Sequence, residues 1–245
     1  MIPDPLAEKY LIVNADDFGA SGGVNRGIIE CHTRGIVTSA SFMVTGRAAT
    51  DAAAMSRDYP QLSLGLHWDV WGEDERKFDV SDVAAVRQEF DRQMDSFHHL
   101  LGRMPTHVDS HKHAHRQPEL MMLFQKLVAP LGIPLRHEGS IRFVGDFYAQ
   151  WEWKVTNLDY VSVSALVDIL RTHVQPGWTE LACHPGYVSP DFSSIYLEER
   201  EAEVRTLTDP SVAETIRELG IRLVSFADHT KSIDVPPHGR KTRPH

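Results

Sequence analysis

Short apolar runs and segments of helical period alternate along almost the whole chain. Residues 10–16 form an apolar run of strand length, and 23–35 carry a helical pattern closed by glycine. Strand-like runs recur at 38–46, 63–69, 106–110, 133–136, 179–183 and 221–226. Helix-like segments fall between them at 48–59, 82–101, 118–131, 164–174, 199–207 and 211–219. The clearest helix is 82–101, where Val83, Val86, Phe90, Met94, Phe97, Leu100 and Leu101 recur at three- and four-residue steps and Gly102 stops it. Pro118 stands in a first helical turn, where proline is tolerated. About seven βα units in succession predict an α/β protein whose parallel strands curl into a barrel or nearly so. An open doubly wound sheet is the competing arrangement. No Gly-x-Gly-x-x-Gly follows the first strand, so its dinucleotide-binding version has no support.

The residue types that bind metals or move protons fall at the carboxyl ends of these runs. Asp16 and Asp17 close the first, His67 the third, His111 follows 106–110 and His184 follows 179–183. In α/β architectures the loops after the strand ends build the active site. Four distant segments therefore send carboxylates and imidazoles to one face, the layout expected of a metal-dependent enzyme. Two adjacent carboxylates facing one cavity repel unless a cation or hydrogen bonds compensate, so one Asp can bind a metal while its neighbour acts as a base. The plainer reading of the pair is a turn and a helix cap. In Thr106-His-Val-Asp-Ser-His-Lys-His-Ala-His115, His111, His113 and His115 share a face if the chain is extended. His111 is nearest the strand end and is the expected ligand. His113 and His115 are left to touch substrate or to hold the ligands in place, and Asp109 to orient a histidine. Arg136 can orient a carboxylate, bind substrate or form a structural ion pair. Trp68, Trp71, Phe147, Tyr148, Trp151 and Trp153 include candidates for stacking on a sugar. A serine hydrolase is disfavoured by the absence of Gly-x-Ser-x-Gly, and a metalloprotease by the absence of His-Glu-x-x-His.

Length and composition narrow the classes further. A chain of 245 residues with 42% hydrophobic content suits one domain with a full core. That domain is expected over residues 1–231, with 232–245, rich in proline and basic residues, as a disordered tail. A formal net charge of −9 argues against nucleic acid as a partner. Cys31 and Cys183 form no Cys-x-x-Cys pair and are expected as reduced thiols of a cytoplasmic protein. The first residues lack a signal peptide's basic start and apolar run, and no stretch reaches the ~18 apolar residues of a membrane span.

At these residues the chain resembles the carbohydrate deacetylases of the YdjC family. The matching elements are Asn14-Ala-Asp-Asp-Phe-Gly19, Gly27-Ile-Ile-Glu30 with Gly35-Ile-Val-Thr-Ser39, Gly65-Leu-His67, Pro105-Thr-His-Val-Asp-Ser-His111 with His113 and His115, and His184-Pro-Gly186. They run in family order across nearly the whole chain. The resemblance implies a distorted (β/α) barrel of about seven parallel strands, related to polysaccharide deacetylases. It implies Asp17, His67 and His111 as metal ligands, Asp16 as catalytic base and His184 as acid. It implies one divalent ion, magnesium by resemblance, although an Asp-His-His set also suits zinc or another transition metal. The implied substrate is an N-acetylated amino sugar, oligosaccharide or glycolipid head group, hydrolysed by water that the metal activates; a homodimer rests on the resemblance alone. A metal-dependent lyase or isomerase on a similar barrel is a second reading. A non-catalytic sugar- or metal-binding protein is a third, and the intact set Asp16, Asp17, His67, His111 and His184 speaks against it.

Overall fold

The computed structural model describes residues 8–72, 78–190 and 192–233. Strands β1 (Lys9–Phe18), β2 (Ser39–Phe42), β3 (Ser63–Trp68), β4 (Val108–Ser110), β5 (Ile141–Val144), β6 (Gly177–Cys183) and β7 (Ile221–Val224) alternate with helices. The helices are α1 (Gly22–Arg34), α2 (Ala49–Ser56), α3 (Val83–Leu101), α4 (Pro118–Val128), α5 (Val163–His173), α6 (Glu198–Leu207), α7 (Pro210–Glu218) and α8 (Phe226–Ile233). Local chemistry sets several of the starts. Ser21 accepts from the Val24 amide, and Asp82 from the amides of Ala84 and Ala85. Gly102 ends α3 in the left-handed conformation.

All strands pair in parallel in the order β4-β3-β2-β1-β6-β5, with β7 also on β1. Strand β6 runs along one edge of β1 from Lys9 to Ala15. The other edge is shared: β7 takes Lys9–Ile12 and β2 begins at Asn14. The sheet curls into a distorted half-closed barrel with the helices outside.

Successive strand side chains face opposite ways, and here the two faces differ in kind. Leu11, Val13, Ala15, Ala40, Phe42, Leu64, Leu66, Trp68, Val108 and Leu181 join the core beneath the helices. The alternate positions, Asn14, Asp16, Ser39, Ser41, His67, His107, Asp109 and Glu180, are buried and polar and fill the concave side. Phe226 of α8 enters that side next to Ile12 and Ile141 and stacks on His107 at 3.8 Å. Cys31 and Cys183 are buried and unbridged.

Three expectations need correction. The strand expected at 133–136 reduces to a single bridge, Leu135 to Val108. Pro134 has no N–H to extend a ladder, and His137 turns left-handed with φ 69°. The strand that follows α4 is instead β5. The run expected at 38–46 stops at Phe42, where the chain turns and the Gly46 amide bonds to the Met43 carbonyl. The sequence reading also lacked α8, which extends past the expected domain limit at 231; residues 234–245 of the expected tail lie outside the described residues.

Phe97 of α3 is fully buried and meets Phe42 of β2 edge-on at 5.8 Å. Phe97→Ala should lower the unfolding free energy by about 3–5 kcal/mol, the cost of lost transfer energy plus a cavity, read as a lower urea midpoint with unchanged slope.

Candidate functional site

Neighbouring strand residues ordinarily point to opposite faces, yet Asp16 and Asp17 line the same cavity. The β1–β2 register slips between Ala15 and Phe18, and Asp17 has φ 69°. A bulge with one left-handed residue re-aims the second carboxylate. Asp17 Oδ1 then lies 3.3 Å from His67 Nε2 and 3.1 Å from His111 Nδ1, and Asp17 Oδ2 accepts from Arg200 Nη2 at 2.6 Å. Arg200 comes from α6.

Two sets of donors lie close enough to hold a cation: Asp17, His67 and His111, and separately Asp16, His67 and Asp109, each within 4.8 Å. The first set fits a metal. His67 Nδ1 bonds Asp109 Oδ1 at 2.7 Å, which keeps a proton on Nδ1 and makes Nε2, which faces Asp17, the nitrogen where a cation would take the place of a proton. Burial works against a charge on His67, but Asp109, Asp17 and Asp16 outweigh it and hold its pKa well above the ordinary value, so this position favours positive charge. The second set does not fit, because Arg136 Nη2 already sits 2.7 Å from Asp16 Oδ1 and 2.8 Å from Asp109 Oδ2 and would repel a second cation.

Arg136 is the hub of the buried polar face. Its Nη1 and Nη2 grip Asp16 in a two-point pair, both at 2.7 Å, and its Nε donates to Glu180 Oε1 at 2.8 Å. Burial opposes ionisation of Asp16, but the guanidinium prevails and holds its carboxyl below the usual range. Burial pushes Glu180 up to about 7 despite Arg136. Asp109 is further tied to Ser41 Oγ at 2.6 Å, and Asn14 Nδ2 donates to Asp16 Oδ1 at 3.0 Å. Arg136→Met should cost about 3–5 kcal/mol, because it leaves carboxylates facing one another without their counter-charge; thermal and urea unfolding would register this independently of activity.

The His111–Arg116 segment turns as a short 3-10 helix with Lys112 and His113 at φ 53° and 50°, so the three histidines do not share the face an extended chain would give them. His111 is buried against Asp17. His113 is half-buried, lines the cavity and packs its ring against His137 and Phe143 at 5.2 and 5.5 Å. His115 is buried away from the cavity. Its amide donates to Ser110 Oγ at 2.9 Å, that oxygen pairs with Nδ1 at 2.5 Å, and Nε2 reaches the Arg136 carbonyl at 3.2 Å. His115 thus braces the segment that carries Arg136.

His184 leaves β6 with Nε2 3.8 Å from Asp16 Oδ2. Burial pushes its pKa down to about 4, only partly opposed by Asp16 and Asp17, so it rests as a neutral imidazole. Its amide donates to Glu203 Oε2 at 2.5 Å, and Tyr196 Oη donates to Glu203 Oε1 at 2.6 Å. Two glycines allow close approaches, one at the turn after His184 and one on the buried polar face. A Cβ on Gly27 of α1 would stand 2.5 Å from Gly186 Cα, and one on Gly65 would stand 2.3 Å from the His107 ring. The cavity has a volume of about 1020 Å³. Asp16, Asp17, His67, His111 and His184 all line it. Of the aromatic candidates, Trp68 and Phe147 are core, Trp71 packs on the core, and Tyr148, Trp151 and Trp153 reach the cavity.

Arg200, Glu180, Glu203 and Tyr196 were not picked out from the sequence. Glu180 had a signal, a lone carboxylate inside an apolar strand. Arg200 had none, since Glu198-Glu-Arg-Glu201 reads as a solvated helix face.

The model of the YdjC-like protein family matches residues 10–218. The chitooligosaccharide deacetylase of Serratia marcescens is 32% identical over 256 residues, covering 90% of this chain and 99% of that protein. The crystal structure of a candidate cellobiose-phosphate cleavage protein from Enterococcus faecalis is similar with a TM-score of 0.78 and 27% identity, over 91% of this chain and 99% of that one. A family 4 carbohydrate esterase from Streptomyces lividans, at 14% identity and a TM-score of 0.55, shares the fold over 88% of this chain and 91% of its own. With the family model spanning most of the chain and a relative 32% identical over 90% of it, the chain belongs to the YdjC-like protein family.

Proposed function

We propose that this protein is a metal-dependent carbohydrate deacetylase that hydrolyses the N-acetyl group of an amino sugar. The observation that carries the reading is the convergence of a carboxylate and two imidazoles within 4.8 Å, in the same cavity as an arginine-gripped second carboxylate and a third imidazole. The name of the Serratia marcescens relative supports it.

A divalent ion held by Asp17, His67 and His111 would polarise the acetyl carbonyl and make water a stronger acid. Asp16, fixed in orientation by Arg136 and ionised at neutral pH, takes the proton from the attacking water. It is a poor resting place for that proton, because the same ion pair favours its charged form. His184 Nε2, 3.8 Å away and neutral, is the adjacent acceptor. The imidazolium so formed protonates the departing nitrogen, which matters because an amide anion is a very poor leaving group. The products are acetate and a free amino sugar, and no side chain need become acylated. One carboxylate with two imidazoles is a donor set suited to zinc and other first-row transition ions more than to magnesium.

The test is acetate release by protein stripped of metal and then given Mg²⁺, Zn²⁺, Mn²⁺, Co²⁺ or Ni²⁺ separately, against N-acetylated mono- and oligosaccharides. Acetate that depends on the restored ion is the expected result. Folded, metal-loaded protein that releases none from any substrate would count against deacetylation and favour a lyase or isomerase on this barrel.

A further inference from the structure

We propose that Trp151 is the stacking platform for a second sugar ring, so that the substrate is an oligosaccharide bound across the loop 149–157. The inference rests on the deacetylase reading and adds to it which residue selects for chain length.

The loop is closed on itself and pinned at its base. The Asn157 amide bonds to the Ala149 carbonyl at 2.9 Å, and the Val155 amide bonds to the Glu152 carbonyl at 3.0 Å. The Ala149 amide donates to Tyr196 Oη at 3.1 Å. Gln150 Nε2 donates to the Ile195 carbonyl at 2.7 Å and to Glu199 Oε1 at 2.5 Å, and Thr156 Oγ1 donates to the same carboxylate. Phe147 and Ala149 are buried at its root.

Out of this anchored base Trp151 and Trp153 project with 57% and 72% of their surface exposed. Keeping large apolar rings in water is unfavourable, and a pinned loop prevents them from folding inward. Lys154 Nζ stands 5.5 Å from the centre of the Trp153 ring and occupies a face of it. Trp151 is the ring nearer the chemistry. From His184 the ring of Tyr148 is 5.7 Å away, and from Tyr148 the ring of Trp151 is 6.2 Å away, all three lining one cavity. Tyr148 is itself stacked on Tyr196 at 4.8 Å and 2°, which fixes its plane. Each step is comparable to one pyranose ring. A hexosamine placed with its acetyl group near Asp16 and His184 therefore has its neighbour in the chain over Trp151. A pyranose has an apolar C–H face that matches an indole, while its hydroxyls turn to solvent.

The experiment compares N-acetylglucosamine with its β-linked di- and trimers, using metal-supplemented wild type, Trp151→Ala and Trp151→Phe. Two readouts are taken: acetate release, and binding of the trimer followed by tryptophan fluorescence and calorimetry. Wild type should turn over the oligomers with higher kcat/KM than the monomer. In Trp151→Ala that advantage should shrink about ten-fold, through KM rather than kcat, with trimer affinity falling by the same factor. Trp151→Phe should keep most of both. Equal kcat/KM for all three sugars, or a Trp151→Ala loss in kcat alone, overturns the platform while deacetylation stands. Trimer binding that depends on Trp151 without any acetate leaves the platform and sinks the deacetylase reading. Neither acetate nor binding sinks both.

Discussion

Asp17→Ala is expected to yield protein that retains no stoichiometric metal and whose kcat/KM falls by at least about 10³, the several kcal/mol that a Lewis acid supplies. Its Oδ1 is the one oxygen facing both His67 and His111, at 3.3 and 3.1 Å, so the two imidazoles alone cannot complete the site. The substitution also takes from Arg200 its 2.6 Å carboxylate contact. A buried charge deprived of a partner is costly, so some loss of stability should accompany the loss of metal. Asp17→Asn separates the two effects, since it keeps the shape and one acceptor oxygen. Elemental analysis by mass spectrometry after dialysis, together with a melting curve, checks both. An alanine variant that still carries one ion per chain would remove Asp17 from the ligand set.

Asp16→Asn should behave in the opposite way towards metal. It is expected to keep its ion while turnover falls by about 10²–10⁴, the range for loss of a general base. An amide at this position can still accept from Arg136 but cannot take a proton from water. Arg136 keeps Asp109 at 2.8 Å and Glu180 at 2.7 Å, so the hub survives. Metal content and acetate release measured on the same preparation decide the matter. Near-wild-type turnover would show that Asp16 is not the base.

Much of this arrangement is legible in the chain because the strands alternate so cleanly. Asn14 and Asp16, Ser39 and Ser41, His107 and Asp109 recur every second residue among apolar neighbours, and each set turns to the concave face. What the alternation cannot say is that Asp17 joins Asp16 on that face. That depends on a register slip and a left-handed backbone, both fixed by the fit of β1 to β2. The strand expected at 133–136 fails for a local reason, since Pro134 has no N–H to give to a ladder. Arg136 was legible as a charge at a strand end, but its grip on three carboxylates exists only once the curled sheet brings residues of β1, β4 and β6 together on its concave face. Arg200 was hidden completely, because burial of a charged helix face is decided by what the helix is packed against. The spacing singled out His111 as the one nearest the strand end and left His113 and His115 to other tasks, and the turn at Lys112 gives the three different surroundings.

The shared edge of β1 also governs when a nascent chain can complete the candidate site. Lys9 registers with Ile221, and Ala15 with Cys183, so the strand bearing both aspartates is completed by partners made about 170 to 210 residues later. Pairings of such long sequence separation close slowly, since the chain entropy is lost before the contacts reward it. Until β6 and α6 leave the ribosome, Asp16 and Asp17 lie side by side without His184 or Arg200. Arg136, His67 and His111 precede β6 in the chain, so the first partners of the two aspartates are made early and the candidate site is completed only when β6 and α6 arrive.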